Sequence, residues 1–248
     1  ITGVSRCLVI SVLVIICLYC SLGFASQLTS ESNVYYRTEY MKIPVNIDGK
    51  DCELEAKIFR PIDDEPHPLI IMTHGRHGYT PSKNPKEVER FNETGLMFAK
   101  KKYIALTVVR RGYGNSSGSD AEATNSYAAS MEAAKDVRAT VEYMQKQSYV
   151  INDKIVVSGH SGGGAGTMAA ASLNIQGVIG YINFAGFPVT VQNNQTEINN
   201  MFAKYGKTAK TPTLWLYSSG DQFLKYVDIQ SARDSYIKAG GRCTLVLT

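Results

Sequence analysis

The chain has 248 residues, 44% of them hydrophobic and 19% charged, and carries a net charge of +4. That length suits one large α/β domain with a sizeable core, and the composition is that of an ordinary globular protein, which excludes a disordered or fibrous chain. The charge is mild, and the longest basic run, Lys100-Lys101-Lys102, falls where a helix is expected to end and cations suit its dipole, so no nucleic acid partner is expected.

Residues 7–20 are apolar apart from Ser11, Arg6 precedes them, and Gly23-Phe24-Ala25 follows with small residues at the two positions that a signal peptidase reads. This is the pattern of a secretory signal peptide over residues 1–25, and it implies a secreted or periplasmic protein. The alternative is a retained N-terminal anchor. The apolar core is short for a membrane span of roughly 20 residues, so cleavage is the expectation and no stable span is expected afterwards. Residues 26–33 read as a polar linker, and 34–248 as the folded domain.

Val34 to Ile47 and Cys52 to Phe59 are strand-like and joined by Asp48-Gly49, a strong hairpin signal. Pro61 to Pro68 is a loop. Leu69-Ile70-Ile71-Met72 is continuously apolar, as in a strand buried on both faces, and runs into His74-Gly75-Arg76-His77-Gly78. A helix is predicted with Val88, Phe91, Gly95 and Phe98 on one face, then a buried strand over Tyr103 to Val109. A glycine-rich loop from Arg110 to Gly118 leads to a long helix with Tyr127, Met131, Ala134, Val137, Val141 and Met144 at helical spacing.

Lys154 to Ser158 is a strand that feeds Gly159-His160-Ser161-Gly162-Gly163, and the small residues Ala165 to Ala171 after it read as a helix. Gly177 to Phe184 is strand-like. Residues 186–210 are polar, with a loop and a short helix ending near Lys204. A strand over Thr213 to Tyr217 precedes Asp221, a helix is predicted over Phe223 to Ala239, closed by Gly240-Gly241, and Cys243 to Thr248 alternates like a strand. A chain with no initiator Met that stops inside a strand reads as a fragment, with the domain's last strand and helix still to come. An antiparallel start followed by strand and helix alternation predicts an α/β fold: a mostly parallel sheet with helices on both faces.

Gly-x-Ser-x-Gly between a strand and a helix is the sequence form of a nucleophile elbow, in which a tight turn lifts the serine hydroxyl out at the carboxyl end of the sheet. Acyl transfer needs a nucleophile, a base, a group that orients the base, and donors for the oxyanion. Ser161 is the candidate nucleophile. The backbone N–H of Gly162 is the first candidate donor, and that of Arg76, with Gly75 as second choice, the other. Asp221, just beyond a strand end, is the candidate orienting carboxylate; its alternative role is a helix N-cap. The base is missing. No histidine follows His160, His67 precedes its strand, His160 lies within the elbow with its side chain expected to point away from the nucleophile, and His74 and His77 lie in the oxyanion loop. The catalytic histidine is therefore expected beyond residue 248, and the 248-residue piece is expected to be inactive alone.

The elbow, the His74-Gly75 loop, the Arg111-Gly112-Tyr113-Gly114 to Gly118 loop and Asp221 together resemble the α/β-hydrolase superfamily. Within it the chain is similar to dienelactone-hydrolase-like and prolyl-oligopeptidase-like secreted serine esterases, with Asn183-Phe184-Ala185-Gly186 and Pro212 to Tyr217 adding to the likeness. The resemblance implies a serine hydrolase of small carboxylic esters working through an acyl-enzyme, with a small-molecule ester as its partner and no cofactor. It departs from the archetypal dienelactone hydrolases, which use a cysteine where this chain has Ser161. A prolyl-oligopeptidase-type peptidase and a non-catalytic binding protein on the same fold are the alternatives. Arg110 and Arg111 have two candidate roles, binding a substrate carboxylate or structural pairing beneath the site. His74 and His77 have no evident third ligand, so no metal is expected. Cys52 and Cys243 are read as two separate thiols, with a disulfide as the alternative.

Overall fold

The computed structural model describes residues 36–76, 83–119, 125–187, 194–221 and 228–248. The signal-peptide and linker readings, His77 and the start of the last expected helix lie outside them. Eight strands form one sheet: β1 (Tyr36–Ile47), β2 (Lys50–Pro61), β3 (His67–Thr73), β4 (Ile104–Val108), β5 (Val150–His160), β6 (Val178–Phe184), β7 (Thr213–Tyr217) and β8 (Cys243–Leu247). Their order across the sheet is β1-β2-β4-β3-β5-β6-β7-β8. The first two pairings, β1 with β2 and β2 with β4, are antiparallel, and all the rest are parallel. The hairpin turn is where its signal put it. Asp48 and Gly49 take φ of 53° and 78°, the pair of positive values a two-residue turn needs to match strand twist.

Five helices pack on this sheet: α1 (Asn92–Lys100), α2 (Ser126–Met144), α3 (Gly162–Ser172), α4 (Gln195–Gly206) and α5 (Ile229–Lys238). The central strands alternate between two apolar layers. Leu69, Ile71, Ile104, Leu106, Ile155 and Val157 face α2 to α5, while Ile70, Met72, Ala105 and Val156 face Phe98 and Ala99 of α1. This is why those strands read as unbroken apolar runs: both faces are covered. At the far side of the sheet Trp215 packs at a tilt between Phe202 and Tyr236, with ring centroids 4.6 and 5.5 Å away.

The expected helix through Val88 and Phe98 is two pieces. Asn84 caps a short 3-10 turn, Pro85–Glu89, by accepting from the Lys86 N–H, and α1 starts separately at Asn92. Val88 joins Val109 and Tyr113, away from the layer that holds Phe98. The break turns Glu87 inward. The last helix begins at Ile229 with Asp228 as its cap, accepting from the Ser231 N–H at 2.9 Å.

Cys52 on β2 and Cys243 on β8 are both free thiols. They stand six strands apart in the sheet order, about 29 Å at the usual strand spacing, against a limit near 7 Å for a disulfide.

Candidate active site

Strand order places the site. Because β4, β3, β5, β6 and β7 run parallel side by side, the segments that leave their carboxyl ends emerge together. Those segments carry Arg110, Gly75-Arg76, Ser161, Gly186 and Asp221. Ligand sites in such sheets form along this edge.

Ser161 sits between β5 and α3 with φ 54° and ψ −123°. A non-glycine residue there is strained by on the order of 1–3 kcal/mol and persists only where its surroundings hold it. Three hydrogen bonds do so. The Ser161 N–H donates to the Phe184 carbonyl at 2.9 Å, and the Ser161 carbonyl accepts from Ala165 N–H at 3.1 Å and Phe187 N–H at 3.3 Å. The flanking glycines are a steric requirement. A side-chain carbon on Gly159 would lie 2.3 Å from the Gly163 carbonyl oxygen, and one on Gly163 would lie 2.4 Å from the His74 carbonyl oxygen.

The Gly75-Arg76 loop packs directly on this turn. A carbon built on Gly75 would touch Ser161 Cβ at 3.1 Å, and one built on Gly162 would lie 3.4 Å from the backbone nitrogen of Arg76. The three residues expected to line an oxyanion pocket are thus brought together with the candidate nucleophile. His160 is exposed, and its imidazole lies against Gly75, with Nδ1 3.4 Å from a carbon placed there. Its ring therefore rests on the Gly75 loop beside the elbow. Asp221 is half-buried beyond β7, two strands from β5, and its N–H closes a turn onto the Ser218 carbonyl.

His74 is fully buried. Its Nε2 accepts from the Arg110 N–H at 3.1 Å, and its Nδ1–H donates to the Gly75 carbonyl at 2.7 Å. With both ring nitrogens engaged it is not placed to take a proton from Ser161. His67 lies at the amino end of β3, 2.6 Å from Asp63.

The two arginines have different destinations. Arg111 is paired structurally: its backbone N–H donates to Asp136 at 3.1 Å, its Nε–H to the same carboxylate, and its Nη2 to Glu132 at 3.2 Å. Arg110 lies under the Gly75 loop, with Nη2 3.4 Å from the Gly75 carbonyl and its guanidinium 4.9 Å from the Tyr113 ring centre.

Sequence reasoning missed two supports of this edge. Glu87, nearly fully buried, binds Arg90 at 2.5 Å and reaches within 3.6 Å of His74 Nδ1. Asn183 donates to the Tyr217 hydroxyl at 2.9 Å, and that hydroxyl donates to the Gly186 carbonyl at 2.7 Å, tying the ends of β6 and β7 behind the elbow. Burial raises the Tyr217 phenol above its ordinary range, so it remains a donor at any working pH. Proline next to a charged run was the only signal for Glu87. Among the described residues no three of His, Cys, Asp and Glu are grouped to hold a metal ion, and no helix is long and apolar enough to cross a membrane.

Solved structures share this architecture. An acetyl xylan esterase from Paenibacillus sp. R4 superposes with a TM-score of 0.62 at 14% identity, over 87% of this chain and 82% of that one. Est1E from Butyrivibrio proteoclasticus, solved with ferulic acid, gives 0.58 at 20% identity over 84% and 88%. Dipeptidyl peptidase 4 from Porphyromonas gingivalis gives 0.63 at 17% identity, over 86% of this chain but 32% of its own. At these identities the likeness is one of fold, the α/β-hydrolase fold. No curated protein matches the chain by sequence. The family model for the dienelactone hydrolase family matches residues 54–246, from the middle of β2 to the last strand. The chain belongs to the dienelactone hydrolase family, a family of hydrolases that act on esters.

Proposed function

We propose that this protein is a serine hydrolase of small carboxylic esters that works through an acyl-enzyme on Ser161. The observation that carries the reading is the strained backbone of Ser161, φ 54° and ψ −123°, at the carboxyl edge of the sheet with Gly75 and Arg76 packed against it. Attack of the Ser161 hydroxyl on the ester carbonyl moves charge onto the carbonyl oxygen. The N–H groups of Gly162 and Arg76 receive that charge, and each such donor is worth on the order of 10²–10³ in rate. Asp221, at the same edge two strands away, orients the imidazole that takes the serine proton. His67 and His74 are engaged elsewhere, and the reading assigns the role to a histidine beyond Thr248. The alkoxide or alcohol then leaves, and water hydrolyses the acyl-serine by the same steps in reverse order.

The names of two structural neighbours, an acetyl xylan esterase and an enzyme holding ferulic acid, support a small carboxylic acyl group. The N-terminal apolar segment supports export of the protein from the cytoplasm. In the full-length protein Ser161→Ala is expected to lower turnover of p-nitrophenyl acetate by on the order of 10⁴ or more while leaving the fold intact. Turnover by that variant within tenfold of the parent, about 1.4 kcal/mol of barrier, would remove Ser161 from the chemistry.

A further inference from the structure

His74 is invisible to the mechanism just described, yet it is among the most completely buried polar residues in the chain. It and Arg110 meet at one peptide group. The Gly75 carbonyl accepts from His74 Nδ1–H at 2.7 Å and from Arg110 Nη2 at 3.4 Å. That carbonyl and the Arg76 N–H belong to the same peptide unit, and no described peptide is cis. In a planar trans peptide the C=O and N–H point in opposite directions. Drawing the Gly75 oxygen inward therefore turns the Arg76 N–H outward, to the side where the elbow lies and where a carbon built on Gly162 would be 3.4 Å from the Arg76 nitrogen.

The imidazole's own state is set as well. The group opposite Nε2 is the Arg110 backbone N–H, at 3.1 Å, which can only donate. Nε2 must then accept, so His74 is neutral with its proton on Nδ1. The Glu87 carboxylate 3.6 Å from Nδ1, itself held by Arg90, favours the proton on that nitrogen, and the Tyr113 ring packs edge-on at 4.9 Å. Arg110 thus acts twice, through its main chain on His74 and through its side chain on the Gly75 oxygen.

We propose that His74 and Arg110 are positioning residues for the reaction: by clamping the Gly75 carbonyl they aim the Arg76 N–H at the substrate oxygen as it becomes charged. This rests on the serine-hydrolase reading above. Neither side chain touches substrate; each acts through the peptide.

The test compares p-nitrophenyl acetate with its thionoester analogue on the full-length protein. Sulfur is a weak acceptor, so an oxyanion donor accelerates the oxygen ester far more than the thionoester. His74→Leu keeps bulk and removes the donor. It is expected to lower kcat for the oxygen ester by on the order of 10² with KM changed less than about threefold, and to leave the thionoester rate nearly unchanged. His74→Asn, whose amide can replace Nδ1–H, is expected to keep the oxygen-ester kcat within about tenfold of the parent. Equal loss on both substrates, or no loss on either, would overturn the proposal, since a residue that merely holds the fold does not discriminate oxygen from sulfur. If His74→Leu does not fold, Arg110→Lys decides by the same oxygen-to-sulfur ratio. A parent protein inert toward both esters would overturn the serine-hydrolase reading, and this one with it; an active parent with an unchanged ratio in both variants overturns this one alone.

Discussion

Two neighbouring charges on each of two short segments go separate ways. Arg110 and Glu87 turn in beneath the Gly75 loop, one 3.4 Å from the Gly75 carbonyl and the other 3.6 Å from His74. Arg111 and Glu89, one and two residues further on, turn to the framework: Arg111 to Asp136 and Glu132 on α2, and Glu89 to Lys57 of β2. The inner pair meets at His74 and the Gly75 carbonyl, and in the proposed reaction it bears on rate. The outer pair ties a loop to a helix and a turn to a strand, and bears on stability. Charge and adjacency alone do not separate these duties; direction does.

Breaking the outer arginine's pair gives the largest expected effect on stability. Asp136 is 3% exposed and holds the Arg111 backbone N–H and side chain together. Asp136→Asn removes the nearer of the two counter-charges of the Arg111 guanidinium and leaves Glu132 as the other, and a loss of about 3 kcal/mol is expected in urea unfolding. The oxygen-to-sulfur ratio of the protein that remains folded should equal the parent's. Gly163→Ala strikes both regions at once. Its new carbon would meet the His74 and Thr73 carbonyl oxygens at 2.4 and 2.5 Å, so it is expected to cost about 1–3 kcal/mol and to displace the end of β3 that carries the oxyanion loop. A lower denaturation midpoint together with a lower ester kcat is the predicted outcome; parental values of both would contradict the packing.

The smallest effect belongs to Glu89. Its hydrogen bond from the Lys57 ammonium, followed by one from the Tyr40 hydroxyl, lowers its carboxyl from 4.5 to about 2, against the opposing pull of burial. A depressed folded value means that the stabilisation is fully present above pH 4.5 and is lost as the pH falls toward 2. Glu89→Gln is expected to be less stable than the parent by about 1–2 kcal/mol at pH 7, with the difference closing as the solution is acidified through that window. Stability curves that stay parallel down to pH 2 would contradict the assignment.

The features that were legible in the sequence are those with a local cause. Asp48-Gly49 reads as a turn because only such a pair accepts two positive φ values, and Leu69 to Met72 reads as a doubly covered strand because every residue in it is apolar. Gly159 and Gly163 are legible for the same reason, since the turn they flank leaves no room for a side chain. What was not legible depends on strand order. That β4 inserts between β2 and β3 is not written in any local pattern, and it is this insertion that brings Arg110 beneath Gly75. Glu87 was not singled out, because its partners, Arg90 and His74, assemble only when the 3-10 turn breaks away from α1. The assignment of Asp221 is still a matter of chain order and of its place at the sheet edge. The cap of the described last helix is Asp228.

Ser161 is proposed as a nucleophile in an assembled site. Treating the full-length protein with a fluorophosphonate and mapping the adduct by mass spectrometry tests it most directly. One phosphonyl group per chain is expected, located on Ser161 and absent from Ser161→Ala. An unlabelled protein, or a label on another residue, would contradict it.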